Sequence, residues 1–279
     1  MPMERLIKEA EDLAEQGVKE LILVAQETTV YGQDIYGEKS LHKLLKELCK
    51  ISGIRWIRIL YCYPKGNIRN LTSKLPDDLH KLFLRCPSSH ALQDLITCML
   101  DRKIKIMTDL WFFFDCLYQI VEIIGKLRSE IPDIALRTTL ITGFPGESEA
   151  NHEELMEFVD EMEFDRLGVF TYSPEEDTPA ADMPEQIEES VKEDCQAELM
   201  ELQQDIAFDK AEDMVGSEVL MMVEGKVADE NVYVGRTYKD APNVDGLIFV
   251  HTDAELITGD FAKVKVTGAL EYDLIGELM

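Results

Sequence analysis

The stretch LRTTLITGFPGE, residues 136–147, decides the fold more than any other part of this sequence. The apolar and β-branched run from Ile134 to Ile141 predicts a strand, and the glycines and proline that follow predict a turn. Ser148 then offers an N-cap to a helix that includes 155–162. Chemistry in parallel barrels lies at the C-terminal ends of strands, so this turn is a candidate ligand site. The alternative is a strand-to-helix turn that needs glycine and proline only for its dihedrals.

The same alternation of strand and helix runs through residues 1–185. Helices are predicted at 6–14, at 41–48 with Ser40 as N-cap, and at 120–127; further strands are predicted at 21–25, 55–61 and 167–172. The first of these strands is apolar throughout, which predicts burial on both faces. Strands separated by helices indicate parallel βαβ units with right-handed crossovers, and therefore a sheet that curls toward a barrel.

The remainder of the chain follows a different pattern. Residues 186–213 are acidic and helical in character, which predicts a connecting helix. From Met214 the apolar period becomes two, in runs at 219–223, 232–234, 247–250 and 264–266 separated by glycines. Short strands with such turn signals predict a small all-β barrel. The predicted organisation is thus 1–185, 186–213 and 214–279.

The segment from 67 to 118 fits neither pattern, because helical and strand periodicities both fail there after a few residues. Local propensities that disagree with their flanks count against ordinary folding. We expect this segment to be the least ordered part of the chain, and we suspect a shifted reading frame within 73–118.

Composition limits the classes of function. The chain has 279 residues and a formal charge of −27, with 55 acidic against 28 basic side chains. This surface repels nucleic-acid phosphates and anionic membranes, and it suits either a basic partner or solubility alone. No apolar run approaches membrane-spanning length and no signal sequence is visible, which predicts a cytoplasmic protein. The six cysteines are dispersed and show no metal-binding spacing, so no metal site is predicted.

Two other predicted strand ends carry polar residues. Gln26 to Thr29 follow the strand at 21–25, and Tyr172 and Ser173 end the strand at 167–172. Each group has an ordinary structural explanation in loop polarity, helix capping or packing. Together with the turn after Ile141, the three strand ends form a hypothesis for one ligand site at one rim.

Six stretches resemble the RimO branch of the radical S-adenosylmethionine methylthiotransferases. They are AQETTVYGQDIYG (25–37), RWIRILYCYP (55–64), LRTTLITGFPGE (136–147), RLGVFTYSPEEDTPAADM (166–183), VGRTYKDAPNVDGLIFV (234–250) and GDFAKVKVTGALEYDLIGE (259–277). The resemblance implies an α/β chain, with a partial parallel (βα) radical S-adenosylmethionine barrel followed by a small TRAM-like β-barrel. It covers nearly everything outside the anomalous segment.

The resemblance also implies a chemistry and a partner. The cofactors would be S-adenosylmethionine and a 4Fe-4S cluster, used to methylthiolate the β-carbon of an aspartate in a basic small-subunit ribosomal protein. The residues that match cofactor-binding positions are Gln26, Thr28, Arg137, Thr139, Gly143 and Tyr172. The loop at 240–246, whose shape proline and glycine fix, would present Asp240 and Asp245 to the partner. The acidic barrel argues against a nucleic-acid grip such as the tRNA-modifying relatives need.

Two departures bear on activity. The family's CxxxCxxC loop, which would precede Pro2, has no counterpart, so the cluster ligands are missing and we expect an N-terminally truncated, inactive fragment. The family's Pro-Leu-Gln-His-like turn is replaced by FLRCPSSH at 83–90. The alternatives are a non-catalytic module that binds a ribosomal protein, a relative of the tRNA methylthiotransferases, and a barrel that uses Glu147 or Asp177 in acid–base catalysis.

Overall fold

The computed structural model describes residues 1–60, 82–84, 120–122, 124–129 and 133–279. The chain divides into two compact units, Met1–Met200 and Glu201–Met279. Across the described ranges, no helix combines the length and the apolarity that a membrane crossing requires.

The first unit alternates helices with parallel strands. Its elements are α1 (Met3–Glu15), β1 (Glu20–Leu23), α2 (Gln33–Tyr36), α3 (Leu41–Leu48), β2 (Trp56–Ile59), β3 (Leu82–Leu84), β4 (Arg137–Thr142), α4 (Glu149–Met162) and β5 (Arg166–Thr171). The long helix α5 (Glu189–Asp213) begins in this unit and ends in the second. Residues 120–122 and 124–129 are also helical. The strands form two sheets, β1-β2-β3 and β4-β5, and every pairing in them is parallel, as the alternation predicts. That these strands form a partial, laterally open parallel barrel stays a prediction.

The first strand differs from its prediction in burial. Leu21 is buried, but Ile22 is 41% exposed and Val24, just beyond the strand, is 62% exposed. The expectation of burial on both faces is therefore wrong for this arrangement. An apolar run alone cannot show that one face of a strand lacks a covering layer.

Both predicted N-cap residues occupy the N-cap position of their helices, but only one of them caps with its side chain. Ser148 caps α4, because its hydroxyl accepts a hydrogen bond from the Asn151 N–H while the Asn151 side chain accepts one from the Ser148 N–H. This reciprocal pair satisfies two N–H groups that the helix leaves open. Ser40 makes no such bond, since its hydroxyl donates to the Glu38 carbonyl at 3.2 Å. Ser40 is still the N-cap residue of α3, as predicted, and its carbonyl accepts the Leu44 N–H at 3.1 Å, but its side chain forms no cap bond.

The second unit contains the predicted small barrel. Its strands are β6 (Glu218–Lys226), β7 (Val232–Arg236), β8 (Ile248–His251), β9 (Phe261–Leu270) and β10 (Asp273–Leu278). They close in the order β10-β8-β7-β6-β9, with β10 parallel to β8 and every other pair antiparallel. The buried centre includes Met221, Val223, Ile248, Val250, Val264 and Val266. Four of the strands, β6 to β9, match the predicted period-two runs. The periodicity did not predict β10, which lies in the EYDLIGE stretch that carries the family resemblance.

The expectation of low order for 67–118 concerns residues outside the described part of the chain, apart from β3. The suspected frame shift at 73–118 and the turn at 83–90 fall almost entirely outside it as well. At β3, the backbone of 82–84 pairs with Ile57, Arg58 and Ile59 of β2.

Candidate functional site

The strongest candidate site lies where β4 and β5 end side by side. Thr142 and Thr171 are partners in the parallel register, and the Tyr172 N–H donates to the Thr142 carbonyl at 2.8 Å. The first turns of α5 bring further side chains to this place. We call the group formed by Thr142, Gly143, Phe144, Glu147, Tyr172 and Lys192 the strand-end site.

Glu147 holds the turn that follows β4. Its carboxylate accepts hydrogen bonds from the Gly143 N–H at 2.9 Å, the Phe144 N–H at 3.1 Å and the Thr142 hydroxyl at 3.0 Å. These charge-assisted bonds use amides that an anionic ligand could otherwise have bound. Glu147 therefore shapes the turn, which favours a structural role over the acid–base alternative; Asp177, the other candidate, is an exposed turn residue with φ of 62°.

The substitution Glu147→Gln is expected to destabilise the chain by roughly 1–2 kcal/mol, because an amide cannot supply the charge that strengthens these bonds. Urea unfolding followed by circular dichroism measures the loss. Glu153→Gln, an exposed position on α4, is the matched control and should change stability by less than about 0.5 kcal/mol. Equal effects of the two substitutions would contradict the assigned role.

Gly143 is needed because a lysine side chain occupies the space beside it. A Cβ at Gly143 would lie 2.3 Å from Lys192 Cγ and 2.9 Å from both Cβ and Cδ of the same residue. The glycine also has φ of 75°, a conformation that side chains disfavour. The predicted role of Gly143 in cofactor binding stays a prediction, but the arrangement already gives this residue a reason to be glycine.

Lys192 ties α5 to the end of β5. It is 4% exposed, and its Nζ donates to the Tyr172 carbonyl at 3.0 Å and to the Glu189 carboxylate at 3.0 Å. The same ammonium lies 5.6 Å from the centre of the Tyr172 ring, within the range of a cation–π interaction. A buried lysine needs such partners to retain its charge.

Tyr172 is the predicted site residue with an open polar group. Its ring packs edge-on against Phe144, with centroids 5.1 Å apart. Its hydroxyl is buried, and no residue in the described ranges forms a hydrogen bond with it. A buried hydroxyl in this state is costly, so it is a natural place for a ligand or water to bind.

Arg137 and Thr139 lie on one face of β4, at alternate half-buried positions. Across the pair they face Arg166 and Gly168 of β5, and Phe170 on the same face is 60% exposed. Both predicted residues are thus on a half-buried face, and Arg137 lies at the start of β4, at the other end of the strand from Thr142. Their roles in cofactor binding stay predictions.

Gln26 and Thr28 belong to the other sheet. Gln26 is exposed in the loop after β1, whereas Thr28 is buried and its hydroxyl donates to the Leu60 carbonyl at 2.9 Å. Thr28 therefore joins this loop to the end of β2, a local role that sequence alone had not assigned. Cofactor binding by either residue stays a prediction.

Tyr31 of this loop and Tyr36 of α2 form hydrogen bonds with the first residues of the chain. The Tyr31 hydroxyl donates to the Met1 carbonyl at 3.0 Å, and the Met3 N–H donates to the Tyr36 hydroxyl at 2.6 Å. Burial raises the pKa of Tyr31 to about 12, and the charges and hydrogen bonding of neighbouring groups, Tyr36 first among them, add to the effect. Tyr31 is therefore neutral at physiological pH.

The Cys195 thiol, which forms a hydrogen bond with Thr142 of the strand-end site, is not activated. Burial raises the pKa of Cys195, and the nearby Glu147 and Glu198 carboxylates raise it further, while a hydrogen bond with Thr142 opposes them. The thiol is therefore protonated near neutral pH and is a poor nucleophile and metal ligand. Nowhere in the described ranges do three His, Cys, Asp or Glu residues come together in a group that could hold a metal.

The acidic loop of the barrel is built differently from its prediction. Asp240 is 4% exposed, and its carboxylate accepts a hydrogen bond from the Thr237 hydroxyl at 2.6 Å. Asp245 is half-buried and accepts one from the Ala241 N–H at 2.6 Å. Both carboxylates thus shape the loop from within. The structure does not present Asp240 to a partner, and partner binding by Asp245 stays a prediction.

Lys192 is the functional-site residue that sequence reasoning missed. The buried stripe of α5 includes Leu199 and Ile206, which are seven residues apart. Extending this spacing one further step toward the N-terminus reaches Lys192. A lysine at an apolar position of an otherwise acidic helix was therefore a usable signal for a buried, paired cation.

Comparison with known proteins gives this geometry a family context. The TRAM domain family matches residues 215–279, which contain the closed barrel. The chain is 55% identical over 277 residues to the ribosomal protein uS12 methylthiotransferase RimO of Lachnoclostridium phytofermentans, a match that covers 99% of this chain and 60% of that protein. Proteins of the same name from Clostridium botulinum and Desulforamulus reducens are 46% and 42% identical, over 98% and 99% of this chain.

The chain spans about 60% of the length of the curated relatives it matches, since it covers 60%, 58% and 60% of the three proteins named above. The predicted resemblance to the RimO branch and the prediction of a TRAM domain are both confirmed.

Proposed function

We propose that this RimO-type chain works in the methylthiolation of an aspartate of ribosomal protein uS12, supplying strands that bind S-adenosylmethionine and a barrel that grips the substrate protein. The observation that supports this most strongly is 55% identity to a RimO protein over 99% of the chain. The proposed reaction is that of the full-length relatives, and this chain spans only part of their length. A cytoplasmic location goes with a ribosomal substrate.

The described residues fit the two cofactors unequally. The buried Tyr172 hydroxyl suits a small polar ligand, and Arg137 and Thr139 add polar groups on the half-buried face of β4. They offer no trio of closely placed thiolates, and the sequence contains no CxxxCxxC spacing, so we derive no step that uses a 4Fe-4S cluster. S-adenosylmethionine binding at the strand-end site is thus part of the proposal, and cluster binding by these 279 residues is not.

The charge of the barrel favours a protein partner over RNA. Residues 214–279 carry 12 acidic and five basic side chains. Of the five, Arg236 is 2% exposed, and its guanidinium is engaged by the Glu224 carboxylate and the Asp240 carbonyl. A surface with this excess of carboxylates repels phosphates and attracts a basic polypeptide. The tRNA-modifying alternative is disfavoured for the same reason.

Titration of the full 279-residue chain with fluorescently labelled uS12 tests the proposal. We expect saturable binding that weakens about tenfold between roughly 50 and 300 mM salt, because screening reduces the attraction between opposite charges. A basic protein of unrelated fold and similar charge is the control and should bind more weakly. Failure of uS12 to bind at low salt, or binding no stronger than that of the control, would refute the proposal.

A further inference from the structure

Apolar side chains form a row across the outside of the barrel. Register places Phe249 of β8 beside Val234 of β7 on one side and beside Ile275 of β10 on the other. All three are outside the buried centre, and Ile275 is 38% exposed. On β9 the row meets Gly268, whose missing side chain leaves one flank of Ile275 open.

The row continues to the hairpin between β9 and β10. Leu270 is 65% exposed and Tyr272 is 40% exposed, and the Tyr272 ring packs edge-on against Phe208 at 5.1 Å. The loop after β7 reaches the same place, because Gly246 abuts the Tyr272 carbonyl; nearby in that loop, Val244 is 65% exposed. We call the surface formed by Val234, Val244, Phe249, Leu270, Tyr272 and Ile275 the outer apolar face.

Carboxylates border this face. Asp273 and Glu277 share the outward side of β10 with Ile275, and Glu271 is exposed at the tip of the hairpin. Lys265 lies opposite Glu277 on β9, so the uncompensated charge is concentrated at the hairpin end. An apolar centre with a charged rim is the usual anatomy of a protein interface.

A row of apolar and aromatic side chains on a small barrel could serve either of two classes of ligand. Such platforms bind single-stranded nucleic acid when cationic side chains accompany them, because bases stack while the cations hold the phosphates. Here the accompanying charges are carboxylates, which exclude phosphates and attract Lys and Arg. The negative charge of the rim therefore favours a basic protein segment over a single-stranded nucleic acid as the ligand.

We propose that the outer apolar face docks an extended, basic segment of the substrate protein, with one large apolar side chain seated between Leu270 and Ile275 and a flanking Lys or Arg side chain at Glu271. The inference rests on the proposed function, because it assigns a surface to the same ribosomal partner. The partner contact predicted at Asp240, which is buried, is thereby replaced by a contact on the exposed outer apolar face.

Binding of labelled uS12 to variants of the full chain tests this surface. Leu270→Ser and Ile275→Ser should each weaken binding about tenfold, as central apolar contacts do. Ile257→Ser is the control: Ile257 is 72% exposed, but it lies in the loop before β9, at the opposite end of the barrel. Its binding should equal that of the unmodified chain, and thermal melts should show all three variants folded.

A second comparison, of a charge-reversal variant with its control, tests the carboxylates that border the face. The variant Glu271→Lys should bind uS12 about tenfold more weakly and lose part of the salt dependence. Glu230→Lys makes the same change of charge in the turn between β6 and β7, at the end of the barrel opposite to the β9–β10 hairpin, and should weaken binding much less.

The outcomes separate this inference from the proposed function. If the unmodified chain does not bind uS12, the proposed function fails and the inference fails with it. If it binds and the variants at both ends weaken binding equally, the surface is wrong while the proposed function stands. If the chain binds a single-stranded oligouridylate and Ile275→Ser abolishes that binding, the face is a nucleic-acid platform and the choice of a protein segment is wrong.

Discussion

Replacing Gly143 by alanine is expected to destabilise the first unit by about 3 kcal/mol, which lowers its melting temperature by roughly 6–12 °C. Two costs combine. The residue has φ of 75°, which costs an alanine roughly 1–2 kcal/mol. The new methyl group would also overlap the stem of Lys192, with the nearest carbon at 2.3 Å. Relief of the overlap moves α5 away from β4 and breaks the bond between Lys192 and the Tyr172 carbonyl.

The control is Gly17, which has a positive φ like Gly143 but has no side chain packed beside its Cα. Gly17 has φ of 92°, and a Cβ there would meet nothing within 4 Å. Gly17→Ala should therefore show only the backbone cost. Thermal melts of both variants measure the difference, and Lys192→Ala in the Gly143→Ala background should recover part of the loss, because it removes Cγ and Cδ. If Gly143→Ala costs no more than Gly17→Ala, the packing of Lys192 against this turn is wrong.

Gly246→Ala is expected to destabilise the barrel by more than about 3 kcal/mol. A Cβ at Gly246 would lie 2.1 Å from the Tyr272 carbonyl oxygen and 2.9 Å from its carbon. These are backbone atoms and cannot rotate away. The neighbouring backbone is also fixed, since the Leu247 N–H donates to the Asp273 carboxylate at 2.7 Å and the Leu274 N–H to the Leu247 carbonyl at 2.8 Å. The substitution therefore forces β10 away from β8.

Gly225→Ala is the matched control in the same barrel, because a Cβ there would meet nothing within 4 Å. It should change stability by less than about 1 kcal/mol. Hydrogen exchange of β10 amides reports the effect directly, with fast exchange expected in Gly246→Ala and protection retained in Gly225→Ala. Protection of β10 in both variants would show that the turn tolerates a side chain and would contradict the account.

Sequence periodicity predicted the elements of both units because it reflects local geometry. The alternation of strands and helices indicated parallel pairing, and β1 with β2 and β4 with β5 are parallel. The period-two runs after Met214 likewise indicated the barrel. Ser148 was a recognisable N-cap because its partner, Asn151, is three residues away along the chain. In each case the decisive contacts connect residues close in sequence or repeat with a fixed period.

The features that sequence did not reveal depend on contacts between distant residues. Gly143 is 49 positions from Lys192, whose side chain fills the space beside it. Ile22 and Val24 resemble buried residues in composition, but their exposure depends on what covers β1. Asp240 was expected at the surface because most aspartates lie there, yet the Thr237 hydroxyl draws its carboxylate into the loop. The charge and propensity of a residue can be read from its type, whereas these roles depend on which distant residues surround it in the fold.

The central claim is that this acidic chain recognises a ribosomal protein and not RNA. The most direct measurement is a pair of separate titrations of the full chain at low ionic strength, one with labelled uS12 and one with labelled unmodified tRNA, because the basic protein and the tRNA would bind each other in a mixture. We expect saturable binding of uS12 and none of the tRNA, because the carboxylates of the chain attract one and repel the other. Binding of the tRNA without binding of uS12 would contradict the claim.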